Sequence, residues 1–312
     1  MQNKGRFYAL VLALVWTFMV TLAGCGLPQL GGGGQRNVTD GSGTQVAIPA
    51  SPQRIISVGA ATDDILLPLV GSKRVVAISG TANNVPGLSD AVEGRVQSNV
   101  ESVLSFNPDL VIVPDYISSN TVQALRDAGL TVYVYPVPRT IEESEQLILT
   151  MGDLVGSTTK SKEIVDNMER RIQDVDAFTQ GKKPEKRLAY LTSMGLAGGK
   201  GSVFDDMANY VHFKNAAAEL GYTQFVSGTR EDVIAYNPDV IIVPTAVYSS
   251  GSNASNNATV DAILSDPAFA NVAAVKDKQV YEVDAKPLMT YSQFMVDAMV
   301  AIAHDLYGYQ EK

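Results

Sequence analysis

Tyrosine, methionine, threonine and arginine side chains follow several short apolar runs of this sequence, and together they could hold a ligand. Tyrosine and methionine offer broad apolar contact together with a hydroxyl group or a soft sulfur atom. The guanidinium of Arg139 could pair with a carboxylate or phosphate group. Ligands of open α/β folds bind beyond the carboxyl ends of parallel strands. We therefore predict ligand contacts among the residues that follow the predicted strands, namely Thr62, Thr81, Tyr116, Arg139, Met194, Tyr248, Met289 and Tyr291.

Catalytic and metal-binding arrangements are not evident in the sequence. His212 and His304 are the only histidines, and neither has a neighbouring histidine or cysteine at metal-ligand spacing. No Gly-x-Ser-x-Gly motif occurs, and the glycine-rich stretch 195–202 lacks the Ser or Thr that must follow Lys200 in a phosphate-binding loop. We expect no enzyme, no resident metal and no permanent cofactor.

The elements that position these residues alternate between strand and helix patterns. Short runs of β-branched and other apolar residues are typical of strands covered on both faces, and they recur with helical patterns between them. The predicted strands are 54–58, 75–79, 110–113, 131–135, 188–192, 240–243 and 280–283. The sequence therefore predicts an α/β fold with parallel sheets flanked by helices.

One segment of the chain occurs twice. Residues 101–114 read ESVLSFNPDLVIVP and residues 231–244 read EDVIAYNPDVIIVP, with eight of fourteen positions identical. Each copy predicts a helix, a turn at Asn-Pro-Asp and a buried strand that ends at proline. The repeat indicates two similar Rossmann-like lobes, 51–158 and 181–312, with a ligand cleft between them.

A long helix is predicted between the two lobes, at 159–180. Six apolar residues recur there at helical spacing, with charged residues elsewhere, namely Ile164, Val165, Met168, Ile172, Val175 and Phe178. At 1.5 Å per residue, a helix of about 20 residues spans about 30 Å, enough to join two lobes. A single rigid connection of this kind permits little hinge closure.

The N-terminus carries an export signal. Two basic residues precede an apolar run that is shorter than the roughly 20 residues of a membrane span, and small residues precede Cys25, the only cysteine. This arrangement resembles a bacterial lipobox, which implies cleavage after residue 24 and acylation of Cys25. Residues 25–50 contain seven glycines, one serine and two prolines, so we expect a lipidated cysteine followed by a flexible stalk.

The charge of the exported chain argues against nucleic acid as a partner. Residues 25–312 contain 22 basic and 33 acidic residues, hence a net charge of −11. Phosphate backbones are bound by concentrated positive charge, which this chain lacks.

The whole pattern resembles the solute-binding lipoproteins of ABC importers for ferric siderophores, haem and cobalamin. The matching features are the lipobox, the segment 52–57 before the first strand, 99–101 before the first Asn-Pro-Asp, and 227–231 before the second. The resemblance implies an extracytoplasmic, membrane-anchored monomer that delivers a metal chelate to a permease dimer. It also implies that Glu101 and Glu231 dock onto the permease, and that Phe225 occupies a position where some relatives place an aromatic ligand contact.

Two other functions remain open at this point. A surface sensor or adhesin could use the same fold to present a bound ligand to another protein. An extracytoplasmic hydrolase is the second alternative, although the sequence lacks the motifs that it would need.

Overall fold

The computed structural model describes residues 34–80, 91–182, 185–224, 227–245 and 259–311. Two five-stranded sheets dominate this part of the chain, and helices cover both faces of each sheet. The α/β architecture with two lobes is thus confirmed.

The N-terminal lobe contains an all-parallel sheet with strand order β5-β4-β3-β6-β7. Its elements are β3 (Ile55–Ser57), α1 (Ala60–Val70), β4 (Val75–Ser79), β5 (Gly94–Val96), α2 (Val100–Leu104), β6 (Leu110–Pro114), α3 (Ser119–Asp127), β7 (Val132–Tyr135) and α4 (Ile141–Leu154). The strand residues of β3, β4, β6 and β7 are buried throughout, as expected for strands covered on both faces.

The C-terminal lobe has the parallel order β10-β8-β11-β12, and a short antiparallel strand, β9, pairs with the end of β8. The elements are β8 (Arg187–Thr192), β9 (Gly195–Ala197), α6 (Val203–Val211), β10 (Lys214–Asn215), α7 (Ala216–Glu219), α8 (Arg230–Tyr236), β11 (Val240–Pro244), α9 (Val260–Ser265), a 3₁₀ turn (Pro267–Phe269), α10 (Ala273–Lys276), β12 (Val280–Val283), α11 (Ala285–Met289) and α12 (Met295–Tyr307). The seven predicted strands all form, and no strand end is shifted by more than one residue. β3 is shorter than predicted by one residue at each end.

The repeated segment forms the same structure in both lobes, namely α2 followed by β6 and α8 followed by β11. Asn107 and Asn237 both adopt the left-handed conformation, with φ of 46° and 55°, which asparagine tolerates better than most residues. Asp109 accepts a hydrogen bond from the Arg54 N–H at 2.9 Å, and Asp239 accepts one from the Arg187 N–H at 2.9 Å. In each lobe the aspartate therefore fastens the turn to the start of the neighbouring strand.

Helix α5 (Thr158–Thr179) connects the two lobes. It packs against α4 of the N-terminal lobe and against α6 and α12 of the C-terminal lobe. Val165, Met168, Ile172 and Val175 form its buried face. Its 22 residues correspond to about 33 Å of helix.

The flexible stalk predicted for residues 25–50 is wrong for its second part. Residues 35–49 form an antiparallel hairpin of β1 (Gln35–Thr39) and β2 (Gln45–Pro49), which packs against the N-terminal lobe through Val46 and Ile48. The Gly41 N–H donates to the Val134 carbonyl at 2.7 Å, so the turn of the hairpin lies on the edge strand β7. These few apolar contacts and main-chain hydrogen bonds outweigh the entropy of ordering a short polar segment.

Across the described ranges, no helix combines the length and the apolar character that a membrane span requires.

Candidate functional site

Three large apolar side chains at the carboxyl ends of the strands are exposed. Met194 is 80% exposed in the turn between β8 and β9, Tyr116 is 68% exposed after β6, and Met289 is 59% exposed at the end of α11. They are the most exposed large hydrophobic residues that the structure describes. Exposed apolar groups at the carboxyl ends of strands indicate a surface that binds a ligand or another protein. All three residues are among the predicted ligand contacts.

Tyr116 and Tyr291 bring the two lobes together at this surface. Partial desolvation raises the pKa of Tyr116, and an electrostatic interaction with Tyr291, from the other lobe, raises it further. Burial raises the pKa of Tyr291, against the effect of a hydrogen bond with Gln224. The two phenols are thus within electrostatic range of each other, and both can offer a ring face and a hydroxyl group to a ligand.

Beneath these tyrosines lies Asp63, a buried carboxyl group near the start of α1. Within the described ranges, neither of its oxygens has a hydrogen-bond partner of normal length. Burial raises its pKa well above the ordinary value, although the Ser57 hydroxyl and the Ser79 N–H are near enough to lower it somewhat. Burial therefore favours the neutral, protonated form of this side chain.

A cavity of about 540 Å³ lies in the N-terminal lobe. It lies between β7, α4 and the turn of the hairpin, and its lining includes Asp115, Tyr135, Pro138, Arg139 and Leu147. Tyr135 and Asp115 of this lining both interact electrostatically with Tyr291 of the other lobe.

The predicted contact Arg139 lies on the rim of this cavity. Its side chain is exposed, and its backbone N–H donates to Glu143 Oε2 at 2.7 Å. The structure therefore places Arg139 beside the cavity, and its contact with a ligand stays a prediction.

Thr62 does not offer a contact surface, contrary to the sequence-based prediction. It is fully buried, its hydroxyl donates to the Gly59 carbonyl at 2.9 Å, and it lies 2.7 Å from the Ser57 hydroxyl. The strand-following position was correct, but the side chain turns inward and supports the junction between β3 and α1.

Other predicted residues, Cys25, Thr81, Phe225 and Tyr248, lie outside the described residues.

Glu101 and Glu231 occupy matching places in the two lobes. Each is the second residue of its helix, α2 or α8, and each side chain is exposed. Asn99 and Thr229 cap these helices through their side chains. Because the caps satisfy the helix ends, the two carboxylates remain available to solvent, and their docking role stays a prediction.

Metal ligands do not cluster in the part of the chain that the structure describes: no three His, Cys, Asp or Glu side chains are close enough to hold an ion. His212 caps α6 and its Nε2 lies 2.7 Å from Asp176 on α5. This places the histidine in contact with the connecting helix.

Sequence reasoning missed Asp63 and Asp115. Asp115 follows the second proline of the first repeat copy, directly before the predicted Tyr116. Asp63 is one of two consecutive acids in the otherwise apolar helix α1, and an acid flanked by buried apolar residues was the signal that could have revealed it.

Comparison with known proteins agrees with this architecture. The family model described as periplasmic binding protein matches residues 55–287. The chain is 27% identical to YvrC, an ABC transporter substrate-binding lipoprotein of Bacillus subtilis, over 98% of both proteins. It is 26% identical to a cobalamin-binding protein of Halobacterium salinarum, with 89% of this chain and 80% of that protein covered.

Solved structures share the fold. A periplasmic binding protein from Veillonella parvula superposes with a TM-score of 0.73 at 20% identity, over 90% of this chain and all of that one. The family match covers most of the sequence and both sheets. The chain therefore belongs to the periplasmic binding protein family, whose members are extracytoplasmic binding proteins and not enzymes.

Proposed function

We propose that this protein captures a metal chelate outside the cytoplasm and delivers it to the permease of an ABC importer. The chelate belongs to the class of ferric siderophores, haem and cobalamin. The observation that carries the proposal is the exposed set of Tyr116, Met194 and Met289 at the carboxyl ends of the strands, with Tyr291 of the other lobe within electrostatic range of Tyr116.

The chemistry of this surface suits a large ligand that is partly apolar. Phenol rings and thioethers provide wide contact area, and the tyrosine hydroxyls can donate or accept hydrogen bonds. A free metal ion would instead need several converging carboxylate or imidazole groups, and the described residues provide no such group.

Cobalamin is the first ligand to test. The curated relative from Halobacterium salinarum is a cobalamin-binding protein, and its similarity extends over 89% of this chain. Haem and ferric siderophores follow, because an iron-uptake system-binding protein of Bacillus subtilis is also similar, at 22% identity.

Delivery requires that the protein stays near its permease. The lipobox-like sequence before Cys25 supports a lipid anchor, and the similarity to the lipoprotein YvrC extends over the N-terminus as well. Glu101 and Glu231, one on each lobe, suit a receptor made of two similar halves.

The experiment that tests capture uses a soluble form that begins at Gly26. It is mixed separately with cyanocobalamin, haemin, a ferric hydroxamate and a ferric catecholate, each of which is coloured. After gel filtration, we expect the visible spectrum of one chelate in the protein peak. A protein peak that carries no colour from any of the four would overturn the proposal.

A further inference from the structure

A buried ion pair joins the two lobes, and its lysine lies three residues before the predicted contact Met289. Asp64 lies on α1 of the N-terminal lobe, and only 5% of its side chain is exposed. Its Oδ1 lies 3.1 Å from the Nζ of Lys286, on α11 of the C-terminal lobe.

Two further contacts connect Asp64 to the same part of the C-terminal lobe. The Ser292 hydroxyl donates to Asp64 Oδ2 at 3.4 Å, and the Gln293 side chain donates to the Asp64 carbonyl at 2.8 Å. Lys286 is held from a second side, because its Nζ lies 4.6 Å from the centre of the Phe294 ring. We call Asp64, Lys286, Ser292 and Gln293 the inter-lobe clamp.

Stability alone does not account for a buried charge pair at this place. The cost of removing two charges from water offsets most of their attraction, so a pair of apolar side chains would serve stability equally well. An ion pair with added hydrogen bonds does, however, fix one relative position of its two partners. The clamp therefore determines where residues 286–293 of the C-terminal lobe lie against α1.

That segment carries two of the predicted ligand contacts. Met289 and Tyr291 lie between Lys286 and Ser292, so the clamp holds the chain on both sides of them. Resting on the function proposed above, we propose that Asp64 and Lys286 are positioning residues: they hold Met289 and Tyr291 at a fixed distance from Tyr116, and ligand affinity depends on them although neither touches the ligand.

The clamp is expected to respond to pH. Burial raises the pKa of Asp64 to about 6, against the opposing effects of Lys286, Ser292 and Thr290. Its titratable neighbours are Lys286 across the interface and Asp63 on its own helix, which burial keeps protonated. Below pH 6, Asp64 therefore gains a proton and the attraction for Lys286 is lost.

Stability and affinity should consequently change in opposite directions. The folded-state pKa of Asp64 lies above its ordinary value of 3.8, so its contribution to the free energy of unfolding decreases as pH rises through 6. Affinity for the ligand should increase over the same range, because the charged clamp forms. A residue that only supports the fold would not produce this opposition.

The first test is Asp64→Asn, with the dissociation constant measured for cyanocobalamin, or for whichever of the four chelates the wild type retains. We expect about tenfold weaker binding at pH 7.5, as for loss of one partner of a buried charge pair, and wild-type affinity at pH 5. The matched control is Asp297→Asn, which breaks an ion pair of 2.8 Å with Arg171 away from the ligand segment. Its dissociation constant should follow the wild type at both pH values.

The double variant Asp64→Asn with Lys286→Gln replaces the charge pair by two amides, and it serves if the single variant does not fold. Its dissociation constant should not change as pH rises through 6, whereas that of the control Asp297→Asn should decrease. Either a double variant that keeps the wild-type pH dependence, or an Asp64→Asn variant with unchanged affinity at pH 7.5, would overturn the proposal.

A measurement without ligand separates this proposal from the function on which it rests. Spin labels on cysteines introduced at the exposed positions Gln123 and Asp261, one in each lobe, report the distance between the lobes. We expect a broader distance distribution in Asp64→Asn than in wild type at pH 7.5. A wild type that retains no chelate would contradict the proposed function. Identical distance distributions in Asp64→Asn and wild type would contradict the role of the clamp, whether or not a chelate binds.

Discussion

Asp63 is a buried carboxyl group without a hydrogen-bond partner of normal length among the described residues. Burial raises its pKa well above the ordinary value and so favours the protonated form in the folded protein. In the unfolded chain the same group ionises near its ordinary pKa of 3.8. The free energy of unfolding therefore decreases as pH rises above about 4, until the folded-state pKa is reached.

The variant Asp63→Asn tests this linkage. Asparagine has the same shape and cannot ionise, so we expect the variant to gain stability relative to wild type as pH rises from 4.5 to 7.5. Urea unfolding at three pH values measures the difference. Glu101→Gln, which changes an exposed acid, is the control and should show a constant difference. A constant difference for Asp63→Asn would contradict the protonated state.

Single residues also show where sequence reasoning reached its limit. Tyr116, Met194 and Met289 were found from the apolar runs that precede them, which are easy to recognise. The structure leaves all three exposed, and their contact with a ligand stays a prediction. The expectation that the Thr62 side chain faces a ligand was not met, because the side chain is buried against Gly59. Its direction depends on how α1 starts after Gly59, and sequence spacing does not contain that information.

At the scale of elements, the hairpin β1–β2 depends on one buried acid. The Asp40 side chain is fully buried, accepts hydrogen bonds from the N–H groups of Ser42 and Thr44, and lies 2.6 Å from Arg126 Nη2 on α3. It thus stabilises the turn of the hairpin and fastens it to the N-terminal lobe.

Asp40→Ala should lower the free energy of unfolding by about 3 kcal/mol, because a half-buried guanidinium and two N–H groups lose their acceptor. Urea unfolding at pH 7 measures the loss. The matched control is Asp153→Ala, which removes a more exposed ion pair of the same hairpin with Arg36 and should cost under about 1 kcal/mol. Equal losses in the two variants would contradict the role assigned to Asp40.

Elements were predictable where their pattern was strong. Four of the six residues proposed for the apolar face of the connecting helix are buried in α5, and the repeat gave α2–β6 and α8–β11. The hairpin was missed because glycine, serine and polar residues dominate its surroundings. The alternation of exposed and buried residues in β2, with Val46 and Ile48 inward, was the available signal.

At the scale of the whole molecule, the two lobes share one connecting helix, and each presents an exposed acid at the start of a matching helix. Changing both Glu101 and Glu231 to alanine should abolish uptake in the source organism and leave the dissociation constant for the chelate unchanged. Neither residue is among the predicted ligand contacts. Both occupy the second position of the matching helices α2 and α8.

A control for charge is the double variant Glu142→Ala with Glu282→Ala, which removes one exposed acid from each lobe elsewhere. Uptake of the coloured chelate by cells should remain normal in this control. Normal uptake in the Glu101 and Glu231 double variant would show that these residues do not dock.

The central claim is that one chelate binds between the lobes, in contact with Tyr116 and Tyr291. The most direct measurement is a titration of the soluble form with the retained chelate, followed by visible absorbance. We predict one chelate per protein for wild type and for the control Leu264→Ala, which removes an exposed apolar residue of α9. The double variant Tyr116→Ala with Tyr291→Ala should bind at least about tenfold more weakly, since two aromatic contacts are lost. Unchanged binding in that double variant would contradict the account.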